Sequence, residues 1–518
     1  MRSPPAASDA PLHAMLPSTD TSNIAIAGRY QDVPYDALPH PATHPARMAS
    51  VATVVGHVAP RVRSCRVLEV GCNDGSNLIP MAVSLPEARF VGCDLSPRAI
   101  EEGRRTINAL GLTNVTLLEA DLAALAPEHG DFDFIIAHGV YSWVPAQVRD
   151  ALFALSAERL ADHGILYVSF NVLPGCRVRQ AAWDVLHHHV DRIDDAGARL
   201  DAARQLARLI ADGGSTSLES DQAVRTELRA IAQRSDSELC HDDLAVPNEP
   251  VLFHSFAEHA GRHGLRFLAE AELHTMDVAG ISSEAQAFLS TLDPLAREQY
   301  LDFIRLRRFR QSLLVRHDAP ADTRTSAQRL RSMHVSATFE LARAAAAGGI
   351  HKLARKIDPA AGGGGPVRKL LDELVARQPA TLEIASLHSR FDLGSLSRPI
   401  EDVLRDASHS GIVELHAQPA ALTMEPPERP VASPLARLQA HTSDRVTTLL
   451  HVPVSIADTN ALKLLPLVDG TRDRAALAAA VPRLAINVEP SRAADFVDYA
   501  LKKFARLGLL MAATSPVE

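Results

Sequence analysis

Residues 68–77 read LEVGCNDGSN. An apolar run carrying Glu69 opens into a turn with Gly71, Asn73 and Gly75, a sequence that brings backbone close to a nucleotide-like ligand. A dinucleotide fingerprint needs glycine at the first, third and sixth positions of the turn. Here those positions hold Gly71, Asn73 and Ser76, so two of them fail. The pattern E-x-G-x-[G/N]-x-G fits better, as Glu69, Gly71, Asn73 and Gly75. Asparagine is the non-glycine residue that most readily adopts positive φ, so Asn73 is a mild replacement, although its Cβ limits how near a ligand can come. Asp94 closes the next apolar run, where a carboxylate can accept from both hydroxyls of a ribose. Asp121 follows the third run in LLEADL and is placed to accept from an adenine amino group, while Glu69 can neutralise an ammonium. A glycine-rich turn alone is as readily a tight strand–helix connection; acids at the next two run ends favour a ligand crevice.

A fourth run ends in AHGVYSWVP. His138, Tyr141 and Trp143 there are candidates for contact with ligand and acceptor, Tyr141 by orienting an amine and both aromatic rings by favouring a cation. In HDDL, Asp242 and Asp243 are candidates to hold a substrate ammonium, against the plainer reading of solvated loop acids. Metal sites are not expected. His187, His188 and His189 are successive on a helix and point apart. His259 and His263 are one turn apart, but no H-E-x-x-H and no third ligand is evident, so solvated or capping roles are expected. Cys72 and Cys93 read as small core residues.

These residues need a sheet to gather them. Apolar runs at 66–70, 89–94, 115–119, 132–137 and 164–170 alternate with helical patterns such as 97–110, where Ser96 is a plausible cap and Pro97 suits the first turn. Runs apolar on both faces alternating with helices predict an α/β fold with a mainly parallel sheet, Rossmann-like, ligands binding at the carboxyl ends of its strands. Residues 178–250 are largely helical and read as an insertion, favoured over a separate domain starting at 178. Strand and helix signals then return over 251–318, with a helix closed by Gly264, a strand from 265, a helix at 294–306 and a last strand at 308–316. AAGGGGP at 360–366 and PPERPVASP at 426–434 read as breaks. VLRDASHSGIVEL (403–415) and ALKKFARLGLLMA (500–512) share one shape, helix then glycine then short strand, which predicts two winged-helix-like units at 325–425 and 430–518.

Length bounds the rest. The 518 residues suggest roughly three to four domains. A net charge of -9 disfavours a dedicated nucleic-acid binder. Five cysteines without a C-x-x-C pair argue against a disulfide framework or structural zinc, and a cytoplasmic setting is expected. No stretch has the length of a membrane span, and the first residues lack the regions of a signal peptide. Residues 1–28, rich in Pro, Ala and Ser, are expected to be a disordered tail.

Taken together, RYQDVPYDALPHPATHPARMASVATVVG (29–56), CRVLEVGCNDGSNLIPMA, FVGCDLSPRAI, IIAHGVYSWVP and YVSFNVLPG resemble bacterial class I S-adenosylmethionine-dependent methyltransferases that carry a methyltransferase regulatory domain. HDDLAVPNEPVLFHSFAEHAGRHGLRFLAEA resembles that regulatory region, and the likeness extends weakly to SPLARLQA and LPLVDGTRDRAAL. The family includes rickettsial-type protein lysine methyltransferases. The resemblance implies a seven-stranded methyltransferase sheet over 29–177 and 251–318, with S-adenosylmethionine as cofactor. It implies cofactor contacts from Tyr30 and Tyr35 in an N-terminal lid, from Glu69, Gly71, Asn73, Gly75 and Asn77 around the first turn, and from Asp94, Leu95, Asp121, Leu122 and His138. His138, Tyr141 and Trp143 become catalytic candidates, and Asp242, Asp243 and Asn171 acceptor-binding ones. The implied acceptor is a protein lysine, with a small metabolite or lipid-linked molecule as the rival and a catalytically silent cofactor-binding protein as a second rival. Homodimerisation through the helical parts is a further possibility. Family members usually have glycine where Asn73 stands, and usually an aromatic residue where Cys176 stands; the second departure implies an altered acceptor pocket. No NPPY-type tetrapeptide, as used by amino-group methyltransferases of nucleic acids, follows the fourth strand, which argues against DNA adenine or glutamine as acceptors.

Overall fold

The computed structural model describes residues 33, 35, 37–122, 125, 130–213, 219–359 and 365–512. Tyr30, the 1–28 tail and most of the glycine run at 360–366 lie outside the described residues. Seven strands, β1 Arg66–Val70, β2 Arg89–Asp94, β3 Val115–Glu119, β4 Phe132–Ala137, β5 Leu160–Asn171, β6 Leu265–Glu270 and β7 Phe309–Arg316, form one sheet in the order β3-β2-β1-β4-β5-β7-β6. The pairs among β3, β2, β1, β4 and β5 are parallel, and β7 runs antiparallel between β5 and β6. The strand order reverses between β1 and β4, and at such a switch point the strand ends part to leave a crevice.

The sheet is buried on both faces. Val67, Phe90, Phe134, Ile136, Ile165 and Tyr167 pack to one side, and Leu68, Ile135, Leu166, Val168 and Phe170 to the other. This is why the strands read as continuous apolar runs rather than alternating ones. Helix Pro97–Leu110 begins as its sequence predicts, with the Ser96 hydroxyl accepting from the Ala99 N–H and Pro97 in the first turn. Gly103 on that helix faces the nucleotide-type turn, since a Cβ there would stand 2.3 Å from the Asp74 carbonyl oxygen. A side chain at that position would push helix and turn apart.

Helices Arg177–Val190, Ala196–Asp212 and Glu219–Ile231 fall between β5 and β6 and close a small core of their own around Leu186, Ala203 and Leu228. Their chain then makes a single π-helical turn, Leu239–Asp243, before returning to the sheet. β6 and β7 are tied to helix Pro294–Arg305 by the fully buried Arg310. Its guanidinium donates to Glu270 at 2.6 Å, to both oxygens of Asp302 at 2.9 Å and to Glu298 at 3.2 Å, and lies 4.0 Å from the Phe253 ring centre. Buried charge is tolerable only when every donor is matched in this way.

Beyond the sheet, residues 326–416 form helices around an antiparallel three-stranded sheet of His334–Ala337, Leu382–Glu383 and Val413–His416. A last unit carries the strand pair Arg445–Thr447 and Pro453–Ser455 and helix Ala493–Arg506. The two helix–glycine–strand sequences end alike, with Gly411 and Gly508 both at φ 69°, the left-handed cap that glycine adopts at least cost. Among the described residues no helix is long and apolar enough to cross a membrane.

Candidate active site

The carboxyl ends of β1, β2, β4 and β5 open into a cavity of about 380 Å³, within the range of ~300–1,000 Å³ usual for small-molecule sites. The first turn builds its floor. Gly71 and Cys72 donate their N–H groups to the Cys93 carbonyl, which pins the turn against β2. Gly71 has φ 71°, and a Cβ there would meet Val140 Cγ2 at 2.9 Å, so both conformation and space require glycine. Asn73 has φ 48°, the left-handed backbone its sequence position predicts. Its N–H donates to Asp94 Oδ2 at 2.9 Å, and its side-chain amide reaches the Tyr35 carbonyl at 3.5 Å. Asparagine therefore does what glycine does in the turn and also touches the N-terminal segment.

Glu69 is buried at the centre. Asn77 Nδ2 donates to its Oε1 at 2.7 Å, while Oε2 has no hydrogen-bond partner among the described residues. Burial pushes its carboxyl up to about 8, assisted by the nearby Asp94 and Asp74. An orphaned buried carboxylate oxygen on the cavity wall suits an ammonium. Asn77 is saturated: its oxygen accepts from the His40 N–H at 2.9 Å and from His451 Nε2 at 2.8 Å, and its amide also donates to Thr43 Oγ1 at 3.0 Å. Asp94 accepts from the N–H of Asn73 and Ser96, one on each oxygen, and still lines the cavity. A carboxylate has about four acceptor positions, so capacity remains for two ribose hydroxyls. Burial raises its carboxyl above the usual range. Leu95, Asp121 and Leu122 line the same cavity.

His138 stacks on His40 with ring centres 3.6 Å apart, and its Nδ1 hydrogen-bonds with the Tyr167 hydroxyl at 2.9 Å. Burial, and then His40, hold it well below the ordinary histidine value, so it is a neutral ring at physiological pH. Burial likewise brings His40 down to about 4. Trp143 lines the cavity with its buried indole N–H unpartnered among the described residues. Asn171 also lines it and donates from Nδ2 to Asn248 Oδ1 at 2.9 Å. Tyr35 lines it from the N-terminal segment and meets His241 edge-on at 5.4 Å.

Several sequence expectations are redirected. Tyr141, expected to orient an amine, does not face the cavity; its ring sits among Phe153, Phe170 and Phe256, and its hydroxyl bonds His259 Nδ1 at 2.9 Å. Asp243, expected to bind substrate, is wholly buried as a structural hub, paired with Arg179 at 3.1 Å and Arg234 at 2.6 Å and accepting from the Trp183 indole at 2.8 Å. The helical turn sends its neighbour Asp242 the other way, onto the cavity wall, where burial pushes its carboxyl up to about 6 against the pull of Arg179. Gly75, at φ 74°, lies beneath the turn against Leu117 and Ile79 and serves packing. Cys176 does not line the cavity; its thiol donates to the Arg308 carbonyl at 3.0 Å. The histidines 259 and 263 do have a third neighbour, Asp150. Sequence reasoning missed His40, His241, Arg308 and Phe309 on the wall and His451 behind it. Phe309 begins a strand that was recognised, and its antiparallel placement beside β5 is what delivers it to the cavity.

The fold and the acid set define an S-adenosylmethionine-dependent methyltransferase. Residues 67–164 match the family described as "Methyltransferase domain", residues 235–316 the "Predicted methyltransferase regulatory domain", and residues 428–495 the "PKMT, C-terminal winged helix domain". The chain is 36% identical over 304 residues to an uncharacterized protein of Rickettsia prowazekii, a match spanning 58% of this chain and 54% of that protein. A second uncharacterized protein of the same organism is 30% identical over 244 residues, 46% of this chain and 96% of its own length. PKMT2 from Rickettsia typhi has the same fold, with a TM-score of 0.77 at 23% identity, covering 92% of this chain and all of that one. That protein has also been solved in complex with AdoHcy. The chain belongs to the family of methyltransferases that carry this regulatory domain, and S-adenosylmethionine is its cofactor.

Proposed function

We propose that the protein methylates lysine side chains of a protein acceptor. The observation that carries this reading is Asp242, an acid on the wall of the cofactor cavity with its carboxyl pushed up to about 6. Such a group is ionised at neutral pH and attracts an ammonium, yet it is basic enough to take part in removing the proton that a lysine must lose. The bound sulfonium cofactor supplies an activated methyl group. The chain's residues then position the amine and control its charge. Glu69 and Asp94 anchor the two ends of the cofactor, neutral His138 adds no competing positive charge, and Trp143 and Phe309 provide aromatic wall for a cation. Likeness to PKMT2, and the matching winged-helix domain, favour a protein over a metabolite.

The test is incubation with methyl-labelled S-adenosylmethionine and a bacterial lysate, then hydrolysis of labelled protein and amino-acid analysis. Methyl-lysine is expected in discrete protein bands, and Asp242→Asn should lower kcat more than cofactor affinity. Label confined to small molecules refutes the lysine reading.

A further inference from the structure

The aromatic cluster behind the cavity ends in two histidines and an acid at the surface. His259 lies on helix Phe253–Arg262 and His263 caps that helix one turn later. Both Nε2 atoms face Asp150 Oδ1 of helix Ala146–Arg159, at 3.3 and 2.9 Å. One ligand atom from each of the three residues lies within 4.8 Å of the others. Ligand atoms at zinc distances of about 2.0–2.2 Å in a tetrahedral array stand roughly 3.3 Å apart, so little movement separates this arrangement from a coordination shell.

A second observation concerns the tautomer. The Tyr141 hydroxyl is 2.9 Å from His259 Nδ1, and Tyr141 is buried among phenylalanines that prevent it from turning away. With the Nδ1 proton donated to the phenol oxygen, Nε2 presents its lone pair toward Asp150, the orientation metal-binding histidines obtain from a partner behind the ring. Two cations stand nearby. Arg149 is committed to Glu249 at 2.7 Å and lies over the Tyr141 ring, and Arg262, whose charge reaches His259, is exposed to solvent.

We infer that Asp150, His259 and His263 bind a divalent ion of the imidazole-preferring class, such as zinc, with water completing the shell. The ion joins a helix of the segment matching the methyltransferase domain to a helix of the segment matching the regulatory domain. It sits behind the loop carrying Trp143 and so stiffens one wall of the cavity without taking part in the chemistry.

The full chain, stripped of metal with a chelator, is titrated with cobalt(II) followed by visible absorption, and separately with zinc followed by thermal unfolding. One equivalent of cobalt with tetrahedral-type absorption is expected, together with a zinc-dependent rise in Tm of at least about 3 °C. Both responses should vanish in Asp150→Ala and His263→Ala and persist in a His188→Ala/His189→Ala variant, which removes exposed histidines elsewhere. Asp150→Asn, which keeps the side-chain volume, guards against loss of folding and should also lose both. The inference is overturned if the wild-type chain shows no zinc response, or if the Asp150 and His263 variants respond as the wild type does.

Discussion

Ionisation of Glu69 should control cofactor affinity. Its carboxyl is buried, with one oxygen held by Asn77 and the other unpartnered among the described residues, and is raised from the ordinary 4.5 to about 8. At pH 7 only about a tenth of the cofactor-free protein carries the charge that an ammonium needs, a penalty of about 1.4 kcal/mol that has nearly vanished by pH 9. S-adenosylhomocysteine carries the same ammonium and is not consumed. Its Kd should tighten about tenfold between pH 7 and pH 9 relative to Glu69→Gln, with close to one additional proton released per molecule bound at pH 7. Calorimetry in buffers of different ionisation enthalpy reads both quantities, and the variant reports the titration of the ligand's own amine. The same shift makes a stability prediction. A carboxyl whose folded-state value is raised stabilises the fold below its unfolded value and loses that contribution as pH rises through about 8. The cofactor-free protein should therefore lose about 3 kcal/mol between pH 6 and pH 9 relative to Glu69→Gln. Wild-type affinity that parallels the variant over this range would refute the reasoning.

Other substitutions test the surrounding parts. Asp94→Ala removes the carboxylate proposed to accept from the ribose hydroxyls, and the partner of the Asn73 N–H; binding should weaken at least about 100-fold by calorimetry, since hydrogen bonds to a charged group contribute roughly 1.5–3 kcal/mol each. Asn73→Gly keeps the positive φ and loses only the long contact to Tyr35, so affinity should change less than about fivefold, whereas Asn73→Val should cost about 1–3 kcal/mol in stability. His451→Ala, far from the cavity in sequence, removes one of the bonds that hold Asn77 against Glu69; Tm should fall and cofactor affinity with it, the stability loss being about 1–3 kcal/mol. Arg310→Met removes the cation shared by Glu270, Asp302 and Glu298 and leaves only Arg307 against the first two, and should destabilise by about 3–5 kcal/mol in denaturant unfolding.

Much of the cofactor half was legible because its residues lie within short reach of strand ends. Glu69 lies near the end of one apolar run, Asp94 closes a second and Asp121 follows a third, and the parallel strands these runs form bring their carboxyl ends to one edge. Asn73 was legible for a similar reason, since a left-handed turn position accepts few residue types. Side-chain direction was not legible. Tyr141 and Trp143 are two residues apart on one irregular loop, and the backbone turns one into the aromatic core and the other to the cavity. Asp242 and Asp243 are adjacent, and a π-helical turn divides them between cavity and buried ion pairs.

The amino-acid sequence by itself determined the seven strands, their helices, and the left-handed turn and acids that line the cavity, because periodicity and turn chemistry act over a few residues. Only the tertiary structure decided that His451 supports Asn77 across 374 positions, that β7 inserts between β5 and β6 to bring Phe309 to the wall, and that Asp150 meets His259 and His263. Those contacts arise where separately folded faces bury one another, and no local pattern encodes which side chains will meet there.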